Sequence, residues 1–443
     1  MKVIIAGTGF ASTIAIIHLI KLGIKPVVID VANKSDKDTK KLLKQDAFIK
    51  KNSYDNFLFL GGLSNVWTGV IDKFDSIDLN EWPIGFNSLN IYYDKLLKLI
   101  KEHQIYDFSI QKGNCLNSEI KNKITNQLLF EDKKTKIKCA SLFLKKNRNN
   151  KFTSLNFTNY INLQIKNSKI KFIKGKVEKI SENNNRVNLQ VNENNKVNYY
   201  KCDYLFIGCG SPSTLKLIQR SQKKYDNKLF LKNNKKIVYP VYFNQRKKIL
   251  DPIKNLYNPY PLIQINHFSQ KLGNIYSQVS NFNETLLSHI LKNVNNLQLF
   301  YKLLKIFHKF GFAYTSLDSK YGDKSTFDVN GNIIVQKSKY DKKFFKKNMS
   351  SFTKNDSVND YFKFINLPIF RNQLSGNHFG SVFPMRKNKK KFYESDIYGR
   401  ICNYKKISIL DSSIFTTLPS KPPTFTIMAN ALRIVENVAK KFF

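Results

Sequence analysis

Three small residues near the start of the chain stand at the spacing of a dinucleotide-binding turn. Gly7, Gly9 and Ser12 fit the pattern GxGxxG with serine in the third place. A first glycine permits a tight turn, and a second lets a pyrophosphate approach the backbone at a helix N-terminus. Asp30 ends the next apolar run, where a carboxylate can accept hydrogen bonds from an adenosine ribose. The pattern predicts dinucleotide binding, with an ordinary glycine turn in an unrelated α/β protein as the alternative.

Histidine is the usual side chain that takes a hydroxyl proton when hydride leaves the same carbon of an alcohol. The chain has six histidines, which are His18, His103, His267, His289, His308 and His378. His378 lies in the C-terminal segment NHFGSVFPM, directly after Asn377. It is the candidate base, and the alternative is a structural histidine in a turn.

The elements around these residues follow from the hydrophobic pattern. Val3 to Ala6 is an apolar run typical of a buried strand, and Ser12 to Leu22 has helical periodicity. Pro26 to Ile29 is a second strand-like run that leads into Asp30. The glycine pattern therefore lies between a strand and a helix, which is the context that dinucleotide binding requires.

A second glycine turn follows a later strand. Tyr204 to Ile207 is a buried-type run that ends in Gly208 and Gly210, and Thr214 to Ser221 is helical. The two turns predict two places where the backbone can approach one ligand closely.

The middle of the chain has weaker signals. Ile170 to Ile180 and Val187 to Val191 alternate like an antiparallel meander, and Glu284 to Phe310 is a predicted helical region. The segment from Asn227 to Leu374, which is rich in aromatic residues and lysine, is the candidate substrate lobe.

Composition favours a globular protein with a full core, because 42% of the 443 residues are hydrophobic. The formal charge of +42 is spread along the chain, which indicates compositional bias and solvated loops. Binding to nucleic acid, an anionic membrane surface or an acidic substrate is the alternative that this charge leaves open. No run approaches the length of a membrane-spanning helix.

Cysteine usage indicates neither a disulfide framework nor a zinc site. The five cysteines form no CxxC pair and no cluster with histidine at metal-ligand spacing. The expectations are therefore no metal, a reducing compartment and a cytoplasmic location.

Four stretches of the chain resemble the glucose-methanol-choline (GMC) family of FAD-dependent oxidoreductases. They match in order and spacing, which is more specific than any one of them. The stretches are the N-terminal fingerprint, GGLSNVWTG with EWPIGFNSLNIYYDKLL, CDYLFIGCGSPSTLKLIQRS, and the tail from NHFGSVFPM through DIYGRICNYKKISILDSSIF to PPTFTIMANALRI.

The resemblance implies a bound FAD and names the residues around it. The ADP half would lie against Gly7, Gly9, Ser12 and Asp30, and the adenine against the backbone at Val177. The rest of the cofactor would pass Gly62, Ser64, Asn65, Gly69, Gly208, Gly210, Asp411 and Thr424. Thr424 begins a C-terminal helix whose N-terminus would stabilise the anionic reduced flavin. For Asp411 the alternative is a helix N-cap or turn residue.

No histidine lies between His18 and His103, so the GGLSNVWTG loop offers no histidyl link and the FAD is expected to be non-covalent.

The family's active-site residues are only partly present. His378 matches the family's HxxG segment, although counting back from Gly380 also allows Asn377 in that place. The family usually has a second His or Asn just before the proline that precedes the final helix, and this chain has Pro422 there. Asn377 and Asn430 are the candidate substitutes for it in this chain.

The expected fold class is α/β, with a Rossmann-like FAD-binding domain and a second α+β lobe of antiparallel sheet and helices. Residues 1–110, 160–226 and 375–443 are assigned to the FAD-binding domain, and 111–159 and 227–374 to the substrate lobe. The resemblance implies oxidation of an alcohol, a sugar or polyol hydroxyl being one candidate, with an unknown electron acceptor and no specific nucleic-acid partner. The competing function is a catalytically altered or non-catalytic flavoprotein.

Overall fold

The computed structural model describes residues 1–32, 59–65, 67–103, 128–146, 152–222, 229–244, 261–281, 309–354, 358, 361–370 and 378–442. Asn377 and nearly all of the predicted helical region from Glu284 to Phe310 lie outside these residues.

The strands are numbered in chain order over the described residues. They are β1 (Val3–Ala6), β2 (Val27–Asp30), β3 (Leu128–Glu131), β4 (Thr135–Cys139), β5 (Leu144–Lys146), β6 (Phe152–Ser154), β7 (Lys171–Lys174), β8 (Lys176–Asn183), β9 (Arg186–Glu193), β10 (Lys196–Cys202), β11 (Tyr204–Ile207), β12 (Leu231–Asn233), β13 (Lys235–Phe243), β14 (Ile263–Ser269), β15 (Gly273–Asn281), β16 (Phe310–Leu317), β17 (Lys324–Phe327), β18 (Ile333–Gln336), β19 (Phe362–Phe364), β20 (Ile369–Phe370), β21 (Phe379–Gly380) and β22 (Ile407–Ile409).

The helices follow the same convention. They are α1 (Phe10–Lys21), α2 (Phe86–Glu102), α3 (Thr158–Lys166), α4 (Ser211–Gln222), α5 (Lys342–Asn348), α6 (Ser350–Thr353) and α7 (Thr424–Phe442).

A five-stranded parallel sheet holds the N-terminal fingerprint. Its strand order is β22-β11-β1-β2-β7, and Ile5 in β1 lies between Phe206 of β11 and Val28 of β2. These strands are continuous apolar runs because helices cover a parallel sheet on its faces. Helix α1 is buried along most of its length and packs against α7, which also packs against α2. Helix α1 begins two residues earlier than the hydrophobic pattern predicts.

Two smaller sheets flank this core. Strands β8, β9 and β10 form an antiparallel meander, and the order β18-β17-β12-β21 forms a four-stranded sheet. The run Val187 to Val191 lies in β9 as predicted, but Ile170 to Ile180 is divided between β8 and β7, which pairs with β2 in the parallel sheet. Strands β5 and β6 pair as a two-stranded ribbon. The short strand β21 brings the segment after His378 into the four-stranded sheet.

The largest sheet is antiparallel and lies in the second lobe. Its order is β19-β13-β16-β15-β14-β4-β3, with β20 paired to β13. One face is apolar and packs against α5 and α6 through Phe345 and Phe352, together with Ile237, Ile265 and Ile275 of the sheet. Side chains alternate along a strand, so Lys236 next to Ile237 lies on the opposite face.

The fold class expected from the sequence is therefore confirmed. The parallel sheet draws its strands from the ranges assigned to the FAD-binding domain, and the large antiparallel sheet draws its strands from the ranges assigned to the second lobe. The domain boundaries themselves stay a prediction. Within the described residues, no helix has the length and apolar character needed to cross a bilayer.

The expectation of no disulfide is wrong at one position. Cys139 is disulfide-bonded, whereas Cys202, Cys209 and Cys402 are free thiols. Cysteine spacing carried no signal because a disulfide depends on distances in the folded chain. Disulfides are typical of oxidising compartments, so Cys139 gives no support to the expected cytoplasmic location.

Candidate active site

The turn after β1 has the geometry that its glycines predict. Gly7 has φ +94°, and a Cβ there would lie 2.7 Å from the carbonyl oxygen of Gly208, so only glycine fits without strain. Gly9 is the half-buried N-cap of α1 and has no side-chain cap. The hydroxyl of Ser12 is buried and lies 3.2 Å from the Gly208 carbonyl oxygen. Ser12 therefore joins the two glycine turns, while Gly9 presents the helix N-terminus.

Thr8 is a residue of this site that the sequence analysis missed. Its hydroxyl donates to Oδ2 of Asp30 at 2.8 Å and accepts from the amide of Gly61 at 2.9 Å. Asp30 also accepts from the amide of Ala32, and burial raises the pKa of the Asp30 carboxyl. The Thr8 hydroxyl thus holds Asp30, at the end of β2, against the glycine-rich loop that begins at Gly61.

The loop from Gly61 to Gly69 approaches the fingerprint turn closely. A Cβ on Gly62, which has φ +55°, would lie 3.2 Å from the Cα of Gly9. Ser64 donates to the carbonyl of Gly61, and the Asn65 amide donates to the carbonyls of Leu60 and Gly62. The side chains of Ser64 and Asn65 are thus engaged within the loop itself. A ligand at this loop would contact mainly its backbone.

Gly69 and Val177 lie at the edges of the site. Gly69 has φ +72° and accepts from the amide of Phe143. Val177 pairs with Val191 in the meander, close after Gly175, whose amide donates to the carbonyl of Asp30. Val177 is thus two residues along the chain from Gly175, which contacts the main chain of Asp30.

The second glycine turn meets Asp411. Asp411 accepts from the Thr214 hydroxyl at 2.5 Å and from the Ser413 hydroxyl at 2.6 Å, and it caps a 3₁₀ helix through the Ser413 amide. Burial raises the pKa of Asp411. Gly210 has φ +83°, and a Cβ there would have open space around it. The capping role weighed as the alternative for Asp411 is present, and the carboxylate is fully engaged by the protein.

Cys209 lies in the second glycine turn, near both Asp30 and Asp411. Its thiol pKa is raised by burial first, then by the charges of Asp411 and Asp30. The Cα of Cys209 lies 3.1 Å from the Cβ position of Gly7. The fingerprint turn and the second glycine turn are therefore in direct contact, and both acids lie near enough to act on Cys209.

The segment after His378 packs on the Asp411 turn. A Cβ on Gly380 would lie 2.5 Å from the carbonyl oxygen of Ser412, so this glycine is required by close packing. The Ser412 hydroxyl donates to the carbonyl of Phe379 at 2.7 Å, and the amide of Ser381 donates to the carbonyl of Ser412 at 2.9 Å. The segment that directly follows His378 is thereby held on the Asp411 turn.

Lys236 is the second residue that the sequence analysis missed. Its Nζ lies 3.3 Å from Nδ1 of His378, and it also contacts the Ser316 hydroxyl. Burial, followed by the charge of Lys236, lowers the pKa of His378 well below its usual range. Both effects favour the neutral imidazole over its protonated form.

Helix α7 begins at Thr424, as the sequence predicts. An aromatic series connects its first turn with the Gly69 loop and α1, through ring pairs at 4.8 to 6.2 Å between Phe10, Trp67, Phe143 and Phe425. Asn430 is buried, and its side-chain oxygen accepts from Arg433. Its amide nitrogen has no partner among the described residues.

The residues present fit a flavin dinucleotide. The fingerprint turn lies within contact distance of both other glycine-rich turns. Gly9 and Gly210 have no protein atom closer than 3.8 Å to a Cβ built on them. Such a backbone surface at the end of α1 suits a pyrophosphate. The described residues contain no group of His, Cys, Asp or Glu side chains that could hold a metal ion.

The comparison with solved structures supports the fold. The chain matches the crystal structure of pyridoxine 4-oxidase from Mesorbium loti with a TM-score of 0.63, 9% sequence identity and coverage of 99% of each chain. No protein-family model matches the chain, and no curated protein matches it in sequence. At this identity the likeness establishes a common fold over the whole chain.

Proposed function

We propose that this chain binds FAD without a covalent link and oxidises an alcohol by hydride transfer to the flavin. The observation that carries the proposal is the close approach of Gly62 and Gly208 to the fingerprint turn at the start of α1, with the segment directly after His378 held on the Asp411 turn. The fold neighbour is an oxidase whose name gives pyridoxine as its substrate. That name and the GMC-like sequence stretches agree with the same chemistry.

Each candidate residue has a role in this proposal. The ADP half of FAD lies along Gly7, Gly9 and Asp30, with Ser12 holding the turn and the Val177 backbone meeting the adenine. The Gly62–Gly69 loop, Gly208, Gly210, Asp411 and the N-terminus of α7 at Thr424 line the rest of the cofactor. FAD supplies the hydride acceptor, and His378 takes the hydroxyl proton.

The substrate is proposed to be a small polar alcohol, such as a sugar or polyol. The face of the large sheet that carries Lys236 also carries Gln264, Tyr276 and Ser316, which supports a polar substrate. The competing proposal is a flavoprotein with altered or no alcohol chemistry. Pro422 favours it, because proline has no side-chain group to replace the family's second His or Asn.

The absorption spectrum of the purified protein tests the proposal. We expect flavin bands, release of the chromophore on acid precipitation, and bleaching when a polar alcohol is added without oxygen. A colourless protein that cannot be reconstituted with FAD contradicts the binding step. A yellow protein that a broad panel of alcohols leaves oxidised favours the competing proposal.

Replacing Gly9 by alanine is expected to weaken FAD binding about tenfold or more, which corresponds to about 1.4 kcal/mol. The new methyl group has room against the protein, where the nearest atom is 3.8 Å away, but it occupies the surface proposed for the pyrophosphate. Gly85→Ala is the matched control, since Gly85 is also a helix N-cap in extended conformation with open space around it. Flavin titration of the apoproteins gives both affinities, and equal losses in the two variants would count against this location of FAD.

A further inference from the structure

We propose that Lys236 and His378 form one proton-accepting pair, in which the proton taken from the substrate hydroxyl ends on Lys236. The inference rests on the proposed function, because it concerns the same hydroxyl. It assigns a positioning and proton-holding role to a residue that the family resemblance does not include.

The geometry places the pair at the join of two sheets. Lys236 is the second residue of β13 in the large antiparallel sheet, and His378 directly precedes β21 in the four-stranded sheet. Nζ and Nδ1 are 3.3 Å apart, and both residues are half-buried, so a ligand can reach them. The Ser316 hydroxyl also contacts the Lys236 ammonium.

The hydrogen-bonding capacity of the two side chains determines which ring nitrogen of His378 carries the proton. A lysine ammonium only donates, so Nδ1 of His378 must accept, and the neutral ring then carries its proton on Nε2. In this state Nε2–H can donate to a substrate oxygen but cannot take a proton from it. His378 becomes a base only after the pair has lost one proton.

The proton transfer then balances in a simple way. In the deprotonated pair, the ring carries its proton on Nδ1 and donates to the neutral amine of Lys236, which leaves Nε2 free. The O–H bond of the substrate breaks as Nε2 takes the proton, and the Nδ1 proton passes to Nζ. The positive charge comes to lie on Lys236, and a bound FAD would supply the acceptor for the hydride that the carbon loses.

The surroundings support this direction of transfer. Lys236 is the charged group that acts on His378, and the lowered pKa of His378 means that the imidazole does not retain a second proton. Other charged groups on adjacent elements are lysines, which include Lys232 on the strand paired with β21 and Lys324 on the next strand, and Asp411, whose carboxylate accepts from Thr214 and Ser413.

The pH profile of Lys236→Met distinguishes a proton-holding lysine from a fixed charge. We expect anaerobic flavin reduction by the best alcohol to rise with pH in the unmodified protein, and its midpoint to fall by at least about one pH unit in Lys236→Met, because lysine normally titrates about four units above histidine. If Lys236 were only a positive charge near the ring, its removal would raise the pKa of His378 and move the midpoint upward. An upward or absent shift overturns the proposal.

Lys236→Arg provides a second test with the charge retained. Arginine stays protonated, so it holds the ring with its proton on Nε2 and is expected to slow flavin reduction about 100-fold or more across the pH range. A rate near that of the unmodified protein would show that proton acceptance by Lys236 is not needed.

Nitrogen NMR of the FAD-loaded protein separates this inference from the proposed function. The His378 ring, assigned by its absence in His378→Gln, is expected to show the Nε2–H form at neutral pH and to change to Nδ1–H as pH rises. This measurement needs no substrate. It therefore tests whether Lys236 and His378 share a proton as proposed, even if no alcohol reduces the flavin. A ring in the Nδ1–H form throughout the neutral range overturns the inference.

Discussion

Replacing His378 by glutamine is expected to slow reduction of the bound flavin by about 10²- to 10⁴-fold, which is the usual contribution of a positioned base. Glutamine can still donate a hydrogen bond to a substrate oxygen, but it cannot take the hydroxyl proton. The limiting rate of flavin reduction in stopped-flow absorbance should therefore fall, while the substrate dissociation constant changes little.

The structure offers a control for His378→Gln. His103 lies at the C-terminal end of α2, outside the group of turns that surrounds His378, and the same substitution there should leave the reduction rate unchanged. The FAD content of His378→Gln should match that of the unmodified protein, because its main-chain neighbours Phe379 and Ser381, and not its ring, bond to the Asp411 turn. A rate within about threefold of the unmodified protein would remove His378 from the proposed chemistry.

The sequence predicted the parallel sheet and its glycine turns because their requirements are local. A tight turn needs glycine, and a buried parallel strand needs a continuous apolar run. Gly7 and Gly210 have positive φ values in the structure, and β1, β2 and β11 lie within one or two residues of the predicted runs. The FAD-related roles of these residues stay predictions.

The direction of polar side chains could not be predicted in the same way. Thr8 contacts Asp30 and Gly61, and the latter lies 53 residues away. Lys236 lies 142 residues from His378, in a chain with 74 lysines and arginines, so no lysine stood out. Asn65, expected near the flavin, accepts hydrogen bonds from Asn156 and Thr158. These pairings depend on how distant segments meet, which sequence spacing does not encode.

A buried ion cluster precedes the final helix and was also missed. Lys421 is 5% exposed, and its ammonium lies 2.7 Å from Asp78, which is 1% exposed, and also pairs with Asp75. Burial raises the pKa of Asp78 to about 6, against the lowering effect of Lys421. Lys421 stands directly before Pro422 and Pro423, so the cluster anchors the chain where it enters α7.

Lys421→Met is expected to destabilise the FAD-loaded protein by about 3–5 kcal/mol, because it leaves the Asp78 carboxylate buried without its cation. Asp75 is 46% exposed and can be hydrated, so Asp78 carries most of the cost. Lys440→Met is the control: Lys440 pairs with Glu436 at the surface, and its loss should cost no more than about 0.5 kcal/mol. Denaturant unfolding followed by fluorescence measures both.

The pH dependence of Lys421→Met identifies the responsible group. The pKa of Asp78 in the folded protein is already above its unfolded value, and removing Lys421 raises it further. The folded state then binds more protons than the unfolded state, so the stability of the variant should increase as pH falls from about 8 to about 5. Adding Asp78→Asn should restore much of the loss at neutral pH and remove this dependence. If the double variant is no more stable than Lys421→Met, the cost lies in lost packing of the lysine stem and not in an unpaired carboxylate.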